Sequence, residues 1–252
     1  MKNSVCIDMM YSHLDFYDRI NAVKNDGIET IEFWKWSNKD IDKIAAADIN
    51  VSIFNMDSSD EQLSYDLSRG ILNDGRAEDF VCALNESIPV YKKLGAKAMI
   101  VLIGENKEYN KDNVLKCLLA AKPILEKENI VLIVEPLNDI DRKGYSMPYA
   151  TPVFELLREI NSPHIKMLYD IYHQNMMGDF DLEEVKNNIG LIGHFHIADA
   201  PGRHEPGTGN VDYVNILKEL SRLDYEGYFG LEYRATKPDN ETLDFIREVK
   251  NV

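Results

Sequence analysis

Four short apolar runs in this 252-residue chain each lead into a residue able to bind a divalent cation. Residues 130–134 run into Glu135, residues 165–169 into Asp170, and residues 228–231 into Glu232; the run from Leu191 leads into His194 and His196. The gaps from Glu135 to Asp170, Asp170 to His196 and His196 to Glu232 are 35, 26 and 36 positions. Each gap has room for one helix and two loops. Ligand-type residues at the C-terminal ends of successive parallel strands converge on one point, and in a closed barrel that point is where active sites sit.

A carboxylate after four apolar residues is costly to bury unless it is paired or metal-bound. For Glu135 the plain alternative is a salt bridge or cap at the barrel mouth. For Glu232 it is a pair with the nearby Arg234. Taken together, Glu135, Asp170, His196 and Glu232 form an oxygen-rich set with one nitrogen. That set suits Mn2+, Mg2+ or Co2+ better than a structural zinc, which favours sulfur and nitrogen.

His194 and His196 alternate along one strand, so they share a face. His196 is nearer the strand end and is expected to reach the metal, with His194 one layer deeper as a packing or supporting residue. His173 lies three residues after Asp170, and substrate contact is its favoured role over metal ligation or a surface position. The loop 200–210 sets Arg203, His204 and Glu205 among prolines and glycines, which suggests side chains held in place. Arg203 there could pair with a carboxylate or polarise a carbonyl or hydroxyl.

These residues suggest a reaction. A metal chelating adjacent oxygens of a hydroxy-ketone acidifies the hydrogen on the carbon between them. One glutamate removes that proton and a second returns one. The product is an aldose–ketose isomer or an epimer, formed through a metal-stabilised enediolate, and Glu135 and Glu232 are the expected pair.

The elements that position these residues alternate eight times. Strand-like runs are expected at 4–9, 30–33, 51–55, 98–103, 130–135, 165–170, 192–198 and 228–232. Their near-continuous apolarity suits strands covered on both faces. Helical patterns occupy 16–25, 39–47, 77–94, 112–128, 151–160, 182–188, 213–223 and 240–249. Ser37 and Asn38 are available to cap the second helix, Thr151 and Pro152 to open the fifth, and Pro123 to kink the fourth. The alternation predicts a (β/α)8 TIM barrel in one domain spanning 1–252. No glycine-rich phosphate loop follows the first strand, which weakens a dinucleotide-binding reading. Two long connections, 57–76 and 199–212, are expected on the catalytic face.

The chain carries 28 basic and 43 acidic residues, for a net charge of −15. That argues against nucleic acid and against an anionic membrane surface, while leaving room for a small anionic substrate held by local cations. Homo-oligomerisation stays open. Cys6, Cys82 and Cys117 are far apart and read as buried free thiols in a reducing compartment. No stretch approaches 18 apolar residues and the first ten lack a signal-like core, so a soluble cytoplasmic protein is expected.

Residues 193–209, Gly-His-Phe-His-Ile-Ala-Asp-Ala-Pro-Gly-Arg-His-Glu-Pro-Gly-Thr-Gly, closely resemble the hydroxypyruvate isomerases, a family of the xylose isomerase-like superfamily of TIM barrels. Val134-Glu-Pro-Leu-Asn138, Asp170-Ile-Tyr-His173, Phe54-Asn55, Arg69-Gly70, Ile31-Glu-Phe33 and Gly227-Tyr-Phe-Gly-Leu-Glu-Tyr233 add matches along nearly the whole chain. The resemblance implies metal ligands at Glu135, Asp170, His196 and Glu232, and Glu135 and Glu232 as acid and base. It implies substrate contact at His173 and Arg203; Asn55 and Glu205 complete the expected substrate-binding set. The chain departs from these isomerases at His196, where they carry glutamine, and at Met177, where they usually carry an acid. Histidine at 196 is similar to the ketose 3-epimerases, which makes epimerisation the alternative reaction. A repair endonuclease with a three-zinc cluster would need more histidines than these strand ends supply. A binding protein without catalysis fits poorly with the presence of both glutamates.

Overall fold

Eight apolar runs pair side by side and in parallel because each is buried on both faces, towards the barrel interior and towards a surrounding helix. The computed structural model describes residues 2–105 and 108–245. The strands are β1 (Lys2–Cys6), β2 (Thr30–Lys35), β3 (Asn50–Asn55), β4 (Ala98–Leu102), β5 (Leu132–Glu135), β6 (Ile165–Asp170), β7 (Ile192–Ile197) and β8 (Tyr228–Leu231). They close into one barrel in sequence order, with β8 pairing back to β1.

The helices are α1 (Phe16–Asn25), α2 (Ile41–Ala46), α3 (Glu61–Arg69), α4 (Ala77–Leu94), α5 (Lys111–Glu128), α6 (Ala150–Ile160), α7 (Ile171–Met176), α8 (Leu182–Asn187), α9 (Tyr213–Leu220) and α10 (Asp239–Thr242). None of the described helices is long and apolar enough to cross a membrane. The expected (β/α)8 barrel is what forms.

Several local expectations need correction. The connection 57–76 is not a plain loop. It contains α3, whose Asp60 accepts a hydrogen bond from the Leu63 amide at 2.8 Å and whose Leu63 and Leu67 are buried. An unforeseen short helix, α7, follows β6 directly because the Asp170 side chain caps it, accepting from the amides of Tyr172 and His173 at 2.8 and 3.3 Å. Asp40, not Ser37 or Asn38, caps α2. Thr151 lies inside α6, after an N-cap at Tyr149. β1 stops at Cys6 because its carbonyl accepts from the amides of Met9 and Met10, which turns the chain. Cys6 and Cys117 are buried, but Cys82 is exposed: it points away from the Phe80–Ala83–Leu84 face by which α4 packs on the barrel. Of the expected last helix, residues 246–249 lie outside the described residues.

Register sets the height of the strand-end residues. Asp170 on β6 lies opposite His196 on β7, and His196 lies opposite Gly230 on β8. One layer of the barrel therefore holds an acid, an imidazole and a position with no side chain.

Candidate active site

β5, β6 and β7 carry Glu135, Asp170 and His196 in their last two residues, and Glu232 directly follows β8. One ligand atom from each lies within 4.8 Å of the others, and all four residues are buried. The His196 Nδ1 atom is 3.1 Å from Glu232, 3.6 Å from Glu135 and 3.9 Å from Asp170. It makes no hydrogen bond among the described residues although it is wholly buried. Three carboxylates around an unpartnered imidazole nitrogen are a donor set that fits a divalent cation preferring oxygen with one nitrogen.

A cavity of about 290 Å³ opens above these residues. Glu135, Glu232, His173, Arg203, Asn55 and Trp34 are in its wall. The structure thus gathers all but one of the residues expected from the sequence. The exception is Glu205. Its two carboxylate oxygens accept from the Thr236 hydroxyl and amide at 2.6 and 3.0 Å, and it is absent from the cavity wall. It ties the loop after β7 to the loop after β8. A charged residue in a Pro/Gly loop signalled a held side chain but not the direction in which it is held.

Arg203 is the cation of the site. Its guanidinium bonds to Glu232 Oε2 and lies 3.2 Å from Asp170 Oδ2, with its carbon 5.0 Å from the centre of the Tyr172 ring. Glu232 therefore pairs with Arg203, not with Arg234. The Trp34 indole N–H also donates to Glu232 Oε1 at 2.8 Å.

The charges divide the two glutamates. Burial alone would raise the Glu232 carboxyl, but His196 and Arg203 overcome it and hold it well below the usual range. Burial dominates at Glu135 and pushes it up, with His196 only partly opposing. Burial likewise pushes Asp170 up to about 7, against the pull of Arg203 and His196. Two carboxyls driven in opposite directions in one site are the arrangement expected of an acid and a base.

His173 is buried, and burial together with the Arg203 charge pushes its imidazole well below its ordinary range, so it is neutral. The Asn138 amide donates to its Nδ1 at 3.1 Å, which places the ring proton on Nε2. That Nε2 has no hydrogen-bond partner among the described residues and sits 3.4 Å from Asp170 Oδ2. The Asn55 Oδ1 atom is likewise buried and unpartnered.

Two important residues were not anticipated from the sequence. Glu32 on β2 lies beneath the site against His194 and His196. Its signal was present: a carboxylate in the apolar run Thr-Ile-Glu-Phe-Trp, the same signal that marked Glu135. Asp199 is wholly buried and shapes the loop that carries Arg203. Its Oδ1 accepts from the amides of Ala200 and Val211 at 2.9 and 3.0 Å, and its Oδ2 from Gly207 at 2.7 Å. Arg203 itself takes a φ of +56°, in the left-handed region, so its placement depends on these anchors. Asp199→Ala strands three backbone donors and is expected to cost about 3 kcal/mol of stability, at roughly 1 kcal/mol or more each. Urea unfolding measures it; a loss below about 0.5 kcal/mol, the range of ordinary surface substitutions, would show that the loop is held by other means.

Comparison with known proteins places these features. The family model for the xylose isomerase-like TIM barrel matches residues 20–249. The hydroxypyruvate isomerase of Escherichia coli K12 is 28% identical over 257 residues, across 98% of this chain and 97% of that protein. The 2-oxo-tetronate isomerase of Cupriavidus necator is 27% identical over 252 residues, across 96% and 95%. Among solved structures, an AP endonuclease, family 2, from Brucella melitensis superposes with a TM-score of 0.89 at 23% identity, covering 98% of this chain and 99% of that one. At that identity the superposition speaks for the fold alone.

Proposed function

The chain belongs to the xylose isomerase-like TIM barrel family, and from that premise we propose that it is a cation-dependent isomerase of a small hydroxy-oxo acid. The observation that carries this reading is the pair Glu135 and Glu232, both buried, both in the cavity wall and both facing His196 Nδ1, at 3.6 and 3.1 Å. The relatives named hydroxypyruvate isomerase and 2-oxo-tetronate isomerase support the substrate class.

Glu135, Asp170, His196 and Glu232 would hold the cation, which when bound polarises adjacent substrate oxygens and makes the carbon-bound hydrogen between them acidic. Glu232, held ionised by Arg203, takes the proton from the hydroxyl-bearing carbon. Glu135 delivers one to the former carbonyl carbon. The hydroxyl gives up its proton and the former carbonyl oxygen gains one, so atoms and charge balance. The free Nε2–H of His173 donates to a substrate oxygen and fixes its position. In the reverse direction the two glutamates exchange roles.

The cavity wall also explains how an acidic protein could take an acid. Lys35, Lys39, Arg142 and Arg203 all line it. Arg203 is committed to Asp170 and Glu232, Arg142 to Glu105, and Lys39 lies 3.3 Å from Asp8. Lys35 meets only Ser64, at 3.0 and 3.2 Å, and has no carboxylate partner among the described residues. Lys35→Met is expected to raise KM for acid substrates about ten-fold, as losing one charged hydrogen bond implies, with kcat less affected and neutral ketoses unaffected. Steady-state kinetics on both substrate types checks this; equal effects on both would remove Lys35 from carboxylate recognition.

His196 supports a second reading, ketose 3-epimerisation, in which the proton returns to the same carbon from the other face. Turnover in deuterium oxide separates the two. Label on the former carbonyl carbon of a hydroxy-oxo acid supports isomerisation, and label on carbon 3 of a ketose supports epimerisation. Absence of label from both substrate types, with Mn2+ supplied, would defeat both readings.

A further inference from the structure

Beneath the four-residue cluster lies a second buried group that the proposed chemistry does not use. Glu32 is 2% exposed. Its Oε1 is 2.9 Å from His196 Nε2 and its Oε2 is 3.0 Å from His194 Nε2, close charge contacts that are not aligned as hydrogen bonds. The Ser4 and Ser52 hydroxyls donate to Oε2 at 2.7 and 3.2 Å. The space is kept by Gly230 on β8, where an added Cβ would lie 2.5 Å from both carboxylate oxygens and 2.7 Å from His194 Nε2. This deep carboxylate thus has two serines and two imidazoles against it and a strand reduced to glycine beside it.

His196 touches both layers. Its Nε2 faces Glu32, and its Nδ1 faces Glu135, Asp170 and Glu232. A neutral imidazole carries its proton on one nitrogen and a lone pair on the other. A carboxylate beside Nε2 favours the form with Nε2–H, which leaves the Nδ1 lone pair directed at the carboxylate cluster. We propose that Glu32 is a positioning residue: by fixing the ring orientation and tautomer of His196 from below, it sets the affinity of the four-residue cluster for a divalent cation. Ser4 and Ser52 hold Glu32 in turn, and His194 occupies its second oxygen, so that the carboxylate cannot swing away from His196.

The inference rests on the reading that the cluster holds a cation, and its test does not use turnover. Mn2+ and Co2+ binding to the wild type, Glu32→Gln and Glu32→Asp are measured by calorimetry, with the visible spectrum of the Co2+ form and the melting temperature of the cation-free protein alongside. Glu32→Gln is expected to weaken Co2+ binding about 10- to 100-fold, the range typical when a ligand's supporting partner is lost. Its Co2+ spectrum should shift, because the imidazole ligand is altered. Glu32→Asp, which keeps the charge, should recover part of the affinity. Ser4→Ala, a smaller change for use if Glu32→Gln fails to fold, should weaken binding in the same direction. Unchanged affinity and spectrum in Glu32→Gln, or in Ser4→Ala where that variant stands in for it, overturn the inference while leaving the cation centre standing. Two Co2+ ions per wild-type chain also overturn it, since Glu32, His194 and His196 would then be ligands themselves. A wild type that binds no cation removes the centre and the inference together.

Discussion

Glu135→Gln and Glu232→Gln are each expected to lower kcat by about a hundred- to ten-thousand-fold, the range for losing a positioned acid or base. Glutamine keeps the shape and cannot carry the proton. The two glutamates act in one proton transfer, so the double variant is expected to be little slower than the slower single one. The variants should differ in stability. The Glu135 carboxylate faces His196 Nδ1 at 3.6 Å and is pushed up by burial, so glutamine there is tolerated. The Glu232 carboxylate balances Arg203 and accepts from Trp34, so glutamine there loosens the site and lowers the melting temperature. Turnover, solvent deuterium incorporation and melting curves read all three effects. If either single variant keeps more than about a tenth of the wild-type rate, the two-glutamate mechanism is wrong, whatever the substrate.

The second large effect is on stability. Glu135, Asp170 and Glu232 crowd three carboxylates around His196, with Arg203 the one permanently charged cation touching them among the described residues. Burial pushes Asp170 up to about 7, so holding it ionised in the cation-free site is costly. A divalent cation at saturation, about a hundred times its dissociation constant, adds about 2.7 kcal/mol to the folded state. For a chain of this size that corresponds to a rise in Tm of about 5–10 °C. Melting with Mn2+, Mg2+ or Co2+, followed by chelation, measures it. Asp170→Asn should abolish the rise, because it removes a ligand while keeping the volume. A Tm indifferent to all three ions would dispose of the cation centre.

Much of this was legible in the chain. Glu135, Asp170 and Glu232 could be read because a carboxylate ending an apolar run conflicts with burial, and the conflict marks a site. Glu32 obeys the same rule, but its run continues through Phe33 to Lys35, so nothing marked it as the floor of the site. The barrel could be read from eight alternations, yet strand register could not. That Asp170, His196 and Gly230 share a level is a property of the ladder, and no single run contains it. The helices α3 and α7 were hidden because their caps, Asp60 and Asp170, sit among residues that also suit loops or sites. Glu205 was read as facing substrate because local sequence shows that a side chain is restrained, while the restraining partner, Thr236, is 31 positions away.

The tie between Glu205 and Thr236 constrains how the molecule moves. The Arg203 carbonyl also accepts from the Arg234 amide at 2.9 Å, and His204 Nδ1 lies 2.7 Å from the Arg234 carbonyl, so the loops after β7 and β8 are joined at several points. Arg203 and Glu232 consequently travel as one rigid jaw, and the arginine cannot lift off the glutamate to admit a substrate without dragging β8's end with it.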